Sequence, residues 1–223
     1  MMYCHRCIFP FCSATIIKPR GEYTMTSQAS QSSAAGALKP LHNVNHFAFR
    51  CRDAEQTRWF YEEVLGLTLA IAFEEVKDFG ENIGRPRTFM HLFFEMGDGN
   101  YLAFFDEPEV STPAHFERKD SFDVHVALEA ENYQALLAWQ ARINAMGKSC
   151  LGPIDHGFVH SVYMYDPNGL QVEITCRADD YPAIAKQKKL QARAELDAFV
   201  ANTRARKLEV FGQQALDARG KAR

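Results

Sequence analysis

One segment of this chain occurs twice in diverged form, and that repeat restricts the folds open to it more than any other feature. HFAFRCRDAEQTRWF begins at His46 and HVALEAENYQALLAW begins at His125. Each opens with a histidine on an alternating apolar strand, passes a charged turn and enters an amphipathic helix with aromatic residues at matching places. Each helix ends at a glycine, Gly66 in VLGL and Gly147 in AMGK, where the left-handed conformation past a helix end favours glycine. After Gly66 the pattern predicts a strand (TLAIAF), a polar insert with two glycines from Gly80 to Arg87, and the strands TFMHLFFEM and YLAFF joined by the hairpin turn GDGN. After Gly147 it predicts a short strand near Ser149–Leu151, then HSVYMY, the turn DPNG and LQVEIT.

The order is therefore βαβββ twice. Such a unit leaves one sheet face bare, so two must pair to bury their apolar surfaces. The fold class is α+β: two modules, over about residues 41–110 and 120–176, pair into a curved mixed sheet within one domain of residues 41–176. Residues 1–40 read as a poorly ordered lead-in, with TSQASQSSAAGALKP after Met25 typical of a flexible segment and Met25 itself a second candidate start. Residues 177–223 read as a helical extension that begins at Asp180 and Pro182 and carries Leu190, Leu196, Phe199 and Val200 on one stripe. That stripe is expected to pack on the domain or on a second subunit.

Strand parity separates the faces, because alternate residues point to opposite sides. His46 shares a face with Ala48 and Arg50, His125 with Ala127 and Glu129, and Glu173 with Gln171 and Thr175. The opposite faces are apolar and suited to covering helices. A lone strand histidine is most often structural. Two at equivalent repeat positions, with a strand glutamate turned the same way, instead form the two-histidine, one-carboxylate set that binds Fe(II) and leaves coordination positions open.

HFAFRCRDAEQTRWFYEEVLGL together with GPIDHGFVHSVYMYDPNGLQVEIT resembles the vicinal oxygen chelate superfamily, which includes glyoxalase I, extradiol ring-cleaving dioxygenases and fosfomycin-resistance transferases. The resemblance covers about Leu41–Cys176 and implies sheets curved around a metal cavity, with His46, His125 and Glu173 as the metal ligands. Glyoxalase I carries a glutamate at the position of Ala103, so a three-ligand set points to the extradiol or fosfomycin groups. His156, followed by Tyr163-Met164-Tyr165-Asp166-Pro167-Asn168-Gly169 and Glu173, is similar to the extradiol pattern. By that resemblance His156 and Tyr163 contact the catechol oxygens and carry the acid–base chemistry. Tyr101 and Phe105 are expected to line the substrate pocket. One departure is Asn100, where extradiol enzymes usually place a catalytic histidine; His91 and His115 are the nearby candidates to replace it.

These readings imply an Fe(II)-dependent dioxygenase, with Mn(II) or Zn(II) as alternative metals, acting on a catechol-like small molecule with O2. A metal-dependent transferase, lyase or isomerase, or a small-molecule-binding protein, are the alternatives on the same fold. A homodimer is compatible with the apolar stripe of the tail. The formal net charge of -3 gives no basic excess for nucleic acid. No apolar run approaches the roughly 20 residues of a bilayer span. With no export signal read, a cytoplasmic location and reduced cysteines are expected, and the Cys4–Cys7 pair has no second pair to complete a zinc site.

Overall fold

The computed structural model describes residues 41–78 and 84–218. The expectations for residues 1–40, including Cys4, Cys7 and Met25, lie outside the described residues. From Asn43 onward the chain forms one compact unit.

The first module runs β1 (His46–Cys51), α1 (Ala54–Arg58) continued by a π-helical stretch (Trp59–Val64), β2 (Thr68–Asp78), β3 (Pro86–Glu95) and β4 (Tyr101–Asp106). The second runs β5 (His125–Glu129), α2 (Tyr133–Ala145), β6 (Leu151–Asp155), β7 (Val159–Tyr165) and β8 (Gln171–Arg177). A 3-10 turn, Pro113–Phe116, lies in the connection between them. Each module is a four-stranded mixed sheet, ordered β1-β4-β3-β2 and β5-β8-β7-β6. The first and last strands of each module pair in parallel and the other neighbours are antiparallel. The βαβββ repeat read from the sequence is thus present twice, while the two sheets do not close into one.

Two local expectations shift. Strand β2 continues past TLAIAF through EEVKD, with Glu75 opposite Phe89 and Lys77 opposite Arg87, while the predicted polar insert, Gly80–Arg87, lies partly outside the described residues and its Pro86 and Arg87 already belong to β3. An edge strand tolerates such charges, because its outer side is open to water. The short strand expected near Ser149–Leu151 lies further on, as β6, and its pairing to β7 slips between Leu151 and Ile154.

The helices are built locally and buried by packing. Asp53 caps α1 by accepting the Gln56 N–H at 2.7 Å. The turn then widens, with Leu65 N–H donating to Phe60 O at 3.0 Å, which sets Phe60, Tyr61 and Val64 fully inside. The Tyr61 ring packs 4.6 Å from Phe104 and 5.4 Å from Phe94. Cys51, Tyr61, Phe94 and Phe104 of the first module share one core with Val126, Leu136, Val172 and Ile174 of the second.

A polar joint runs through that core. Asp166 and Asn168 of the β7–β8 turn are buried, and Tyr61 Oη donates to Asp166 Oδ2 at 3.1 Å. Asn168 accepts the Arg52 N–H at 2.9 Å and donates to Thr57 at 3.2 Å and to Asp166 at 2.9 Å. From the other side, the Arg142 guanidinium donates to Val64 O at 2.8 Å and Glu63 O at 2.7 Å, where the first helix ends. In the same turn Gly169 has φ 78°, and a Cβ there would lie 2.5 Å from Glu117 O, so only glycine fits. Thr57, Tyr61 and Arg142, which make these contacts, all lie on the helices.

The C-terminal extension is α3 (Tyr181–Asp217), with Asp180 at its N-cap and Pro182 in its first turn. At Gly212 the backbone leaves the helix, with φ 76°. Arg204 then reaches Asp217 at 3.4 Å, so the segment past Gly212 turns back; a straight helix would hold residues so far apart in sequence at about 20 Å. No residue of α3 is buried, and Leu190, Leu196, Phe199 and Val200 are exposed, so the stripe lies uncovered in the single chain. Among the described residues, no helix is long and apolar enough to cross a membrane.

Candidate metal and active site

The second sheet gathers most of the candidate residues on its open face. Parallel pairing of β5 with β8 sets His125 opposite Gln171 and Ala127 opposite Glu173. Antiparallel pairing of β7 with β8 sets Tyr163 directly opposite Glu173. Tyr163 and Glu173 therefore share a face. His156 follows β6, and its Nε2 lies 2.8 Å from the Tyr163 hydroxyl. His125, His156, Tyr163 and Glu173 line one shallow pocket of about 350 Å³, together with Phe122, Ile154 and Gln171.

His125 is held in the way a metal-ligating imidazole is held. Its Nδ1 lies 2.7 Å from Ser121 O, a carbonyl that can only accept, so Nδ1 donates and the ring is turned with Nε2 toward the pocket. That Nε2 faces Glu173 Oε2 at 3.5 Å. Two donors about 2.1 Å from one ion, at angles between octahedral and tetrahedral, lie roughly 3.0–3.4 Å apart. At 3.5 Å the pair stands slightly wider than that spacing. Glu173 is buried, while His125 stays partly open to solvent. Beside them Gln171 Oε1 is buried without a hydrogen-bond partner. Burial, with the Glu173 carboxylate nearby, raises the Tyr163 phenol above its ordinary range, so its hydroxyl stays protonated and can donate.

His46 lies elsewhere, on the open face of the first sheet. It is oriented in the same manner, with Nδ1 2.8 Å from Asn45 Oδ1. It pairs in register with Tyr101, and its ring meets Phe93 edge-on at 5.9 Å. Tyr101 and Phe105 occupy this face too, not the pocket of the second sheet. Phe105 stacks 3.8 Å from His91, whose burial depresses its basicity and whose Nε2 is buried and unpartnered. Phe73, Phe89 and Phe93 complete an aromatic row around it. At the end of the row Glu107, almost wholly buried, is gripped by Arg87 and by Arg50 at 2.9 Å, which hold its carboxyl below the usual range. His115 is used locally, accepting the Thr112 N–H at 3.0 Å.

The expected convergence of His46, His125 and Glu173 is not formed within the single chain. Among the described residues, no group of three or more His, Cys, Asp and Glu side chains is placed to hold a metal ion. The physical reason is the position of the joint: the modules are fastened through their helices and the β7–β8 turn, which brings the cores together but not the open faces. A single chain brings His125 and Glu173 together and keeps His46 on the face of the other sheet. Sequence reasoning missed Gln171, though it lies two residues before Glu173 on the same strand face, and it missed the Ser121 carbonyl, for which a main-chain acceptor leaves no signal.

A family model described as Glyoxalase/Bleomycin resistance protein/Dioxygenase superfamily matches residues 43–174. No curated protein matches the chain. Among solved structures, a glyoxalase/dioxygenase from Nostoc punctiforme is 26% identical, covering 68% of this chain and 100% of that one with a TM-score of 0.45. A glyoxylase/bleomycin resistance protein/dioxygenase domain from Frankia is 16% identical, covering 63% and 95%, with a TM-score of 0.50. TnmS3, an antibiotic binding protein from Streptomyces, is 17% identical, covering 63% and 100%, with a TM-score of 0.44. The family match spans more than half of the chain and coincides with the two βαβββ modules, and on that basis the chain belongs to the glyoxalase/bleomycin resistance protein/dioxygenase superfamily.

Proposed function

We propose that this protein is a divalent-metal-dependent ring-cleaving dioxygenase of the extradiol type, acting on a catechol-like small molecule, with Fe(II) as the metal. The observation that carries the reading is the pinned His125, whose Nε2 faces the buried Glu173 beside the His156–Tyr163 pair. His46, oriented by the same Nδ1 contact, is the third ligand and comes from a second copy of the chain, whose first sheet covers the pocket. His46, His125 and Glu173 would hold the metal, which would supply Lewis-acid binding of the substrate's adjacent oxygens and activation of O2.

The chain's own groups perform the remaining work. His156 accepts a proton from the substrate hydroxyl, and Tyr163, kept neutral by its surroundings, donates a hydrogen bond to the oxygen that results. Tyr101 and Phe105, arriving with His46, stack against the ring and exclude water. The test is to load the reduced protein with Fe(II) without oxygen, add catechols, admit air and follow the yellow ring-opened product. Stoichiometric Fe(II) binding with no ring opening across a broad catechol panel would refute the reaction.

The aromatic row around His91 supports a second reading, small-molecule binding without chemistry, since ring-bearing ligands stack on such a face. Metal analysis separates the two, because that reading needs no metal at His125 and Glu173.

A further inference from the structure

The pocket of the second sheet belongs to the site already described, and the aromatic row of the first sheet belongs to its second reading. The feature that neither absorbs is α3. Leu196, Phe199, Val200, Val210 and Phe211 are all exposed, and at 100° per residue they fall within one arc of about 120°. The arc also carries cations. Lys189 and Lys207 project on it, with Lys207 Nζ 4.9 Å over the Phe199 ring, and Arg193 lies at its edge, paired with Asp197 at 2.8 Å.

Charge divides the chain at the same boundary. Residues 181–217 contain seven Lys and Arg against four Asp and Glu, a net +3. Residues 41–180 contain eleven against twenty-three, a net -12. Two such acidic bodies repel when brought together, and a basic helix laid between them offsets the repulsion. Like helices face to face would instead set Lys189, Arg193 and Lys207 against one another. The helix also starts in the right place. Tyr181 lies under the Arg177 guanidinium at 4.9 Å, and Arg177 shares the open face of β8 with Glu173. From there the helix up to Gly212 extends about 46 Å, well beyond the width of its own four-stranded sheet.

We infer that α3 is a clasp that lays its apolar, cationic arc across the acidic body of a second copy of this chain. The inference rests on the two-copy site proposed above only for the existence of the pair; the clasp itself stands on exposure and charge.

The test measures the mass of the full-length protein by light scattering and analytical centrifugation, at low salt and at about 0.5 M salt, where exposed charges are screened within a few ångström. Wild type is expected at twice its 25.3 kDa. Leu196→Glu with Phe199→Glu, both on exposed positions, should keep its helical circular dichroism and raise the dimer dissociation constant roughly 100-fold or more. Lys189→Glu with Arg193→Glu and Lys207→Glu should weaken the dimer chiefly at low salt. A monomeric wild type, or a dimer that neither variant weakens, overturns the clasp. So does a monomeric wild type that sediments with phosphatidylglycerol vesicles and not with phosphatidylcholine vesicles, which would assign the arc to an anionic lipid surface. Metal analysis of the same samples keeps the readings apart. A persistent dimer with metal bound removes the clasp and leaves the shared site. A monomeric Leu196→Glu/Phe199→Glu variant that holds metal at full affinity removes the shared site and leaves the clasp.

Discussion

If the metal site is shared between two copies, two defective chains can restore each other in a fixed proportion. The perturbation is a pair of single variants, His46→Ala and His125→Ala, each removing an imidazole from an exposed position and leaving the core intact. Each homodimer then lacks one ligand in both of its sites. Structural three- and four-ligand zinc sites bind with about 10–16 kcal/mol in total, so one ligand accounts for roughly 3–5 kcal/mol, or at least 100-fold in affinity. Neither variant should hold metal under conditions where wild type saturates. When the two chains are unfolded together in equal amounts and refolded, half of the dimers are mixed. In a mixed dimer, one site pairs both defects. The other pairs the intact His46 of one chain with the intact His125 and Glu173 of its partner. One site in four is restored, so metal content and turnover should recover to about one quarter of wild type. The assay is metal analysis by mass spectrometry after desalting, with each variant refolded alone as control. No recovery from a mixture shown to contain mixed dimers would mean that His46 and His125 meet within one chain, and the shared-site reasoning would be wrong.

The other expectations concern the acid–base pair, the polar joint and the arginine clamp. His156→Ala should retain metal and lose turnover by roughly 10²–10⁴-fold, with Tyr163→Phe costing less because only a hydroxyl hydrogen bond disappears; steady-state kinetics on iron-loaded protein checks both. Asn168→Ala removes three hydrogen bonds from the buried joint and strands the Arg52 N–H, so it should cost about 3 kcal/mol and lower Tm by roughly 6–12 °C, read by calorimetry. The carboxyl of Glu107 is held low by Arg87 and Arg50, so its contribution to stability is complete above the unfolded glutamate pKa of about 4.3 and is lost as pH falls through its lower folded value. Glu107→Gln should therefore destabilise by about 2 kcal/mol at neutral pH, and denaturant titrations should show that difference from wild type shrinking below pH 4.

Much of this fold was legible in the order of residues because its signals are short-range. The repeat opening at His46 and His125 set two βαβββ modules, Gly66 and Gly147 ended their helices, and Asp180 with Pro182 began the tail helix. Parity along each strand assigned residues to faces without any knowledge of neighbours, and Glu173 and His125 do lie on one face of one sheet. The register between β7 and β8 was not legible; it is the observed pairing of Tyr163 with Glu173 that brings His156 and Tyr163 to the same pocket.

The DPNG turn shows the limit most clearly. Its sequence announces a hairpin turn, since proline, asparagine and glycine suit those dihedral angles. Its second role as the buried joint with Thr57, Tyr61 and Arg52 depends on residues more than a hundred positions away. The same holds for His46. Local alternation placed it on the open face of its own sheet, but whether that face meets Glu173 depends on how two cores dock. Docking is decided by the sum of many weak apolar contacts and a few buried hydrogen bonds distributed over both modules, and no single stretch of sequence carries that sum.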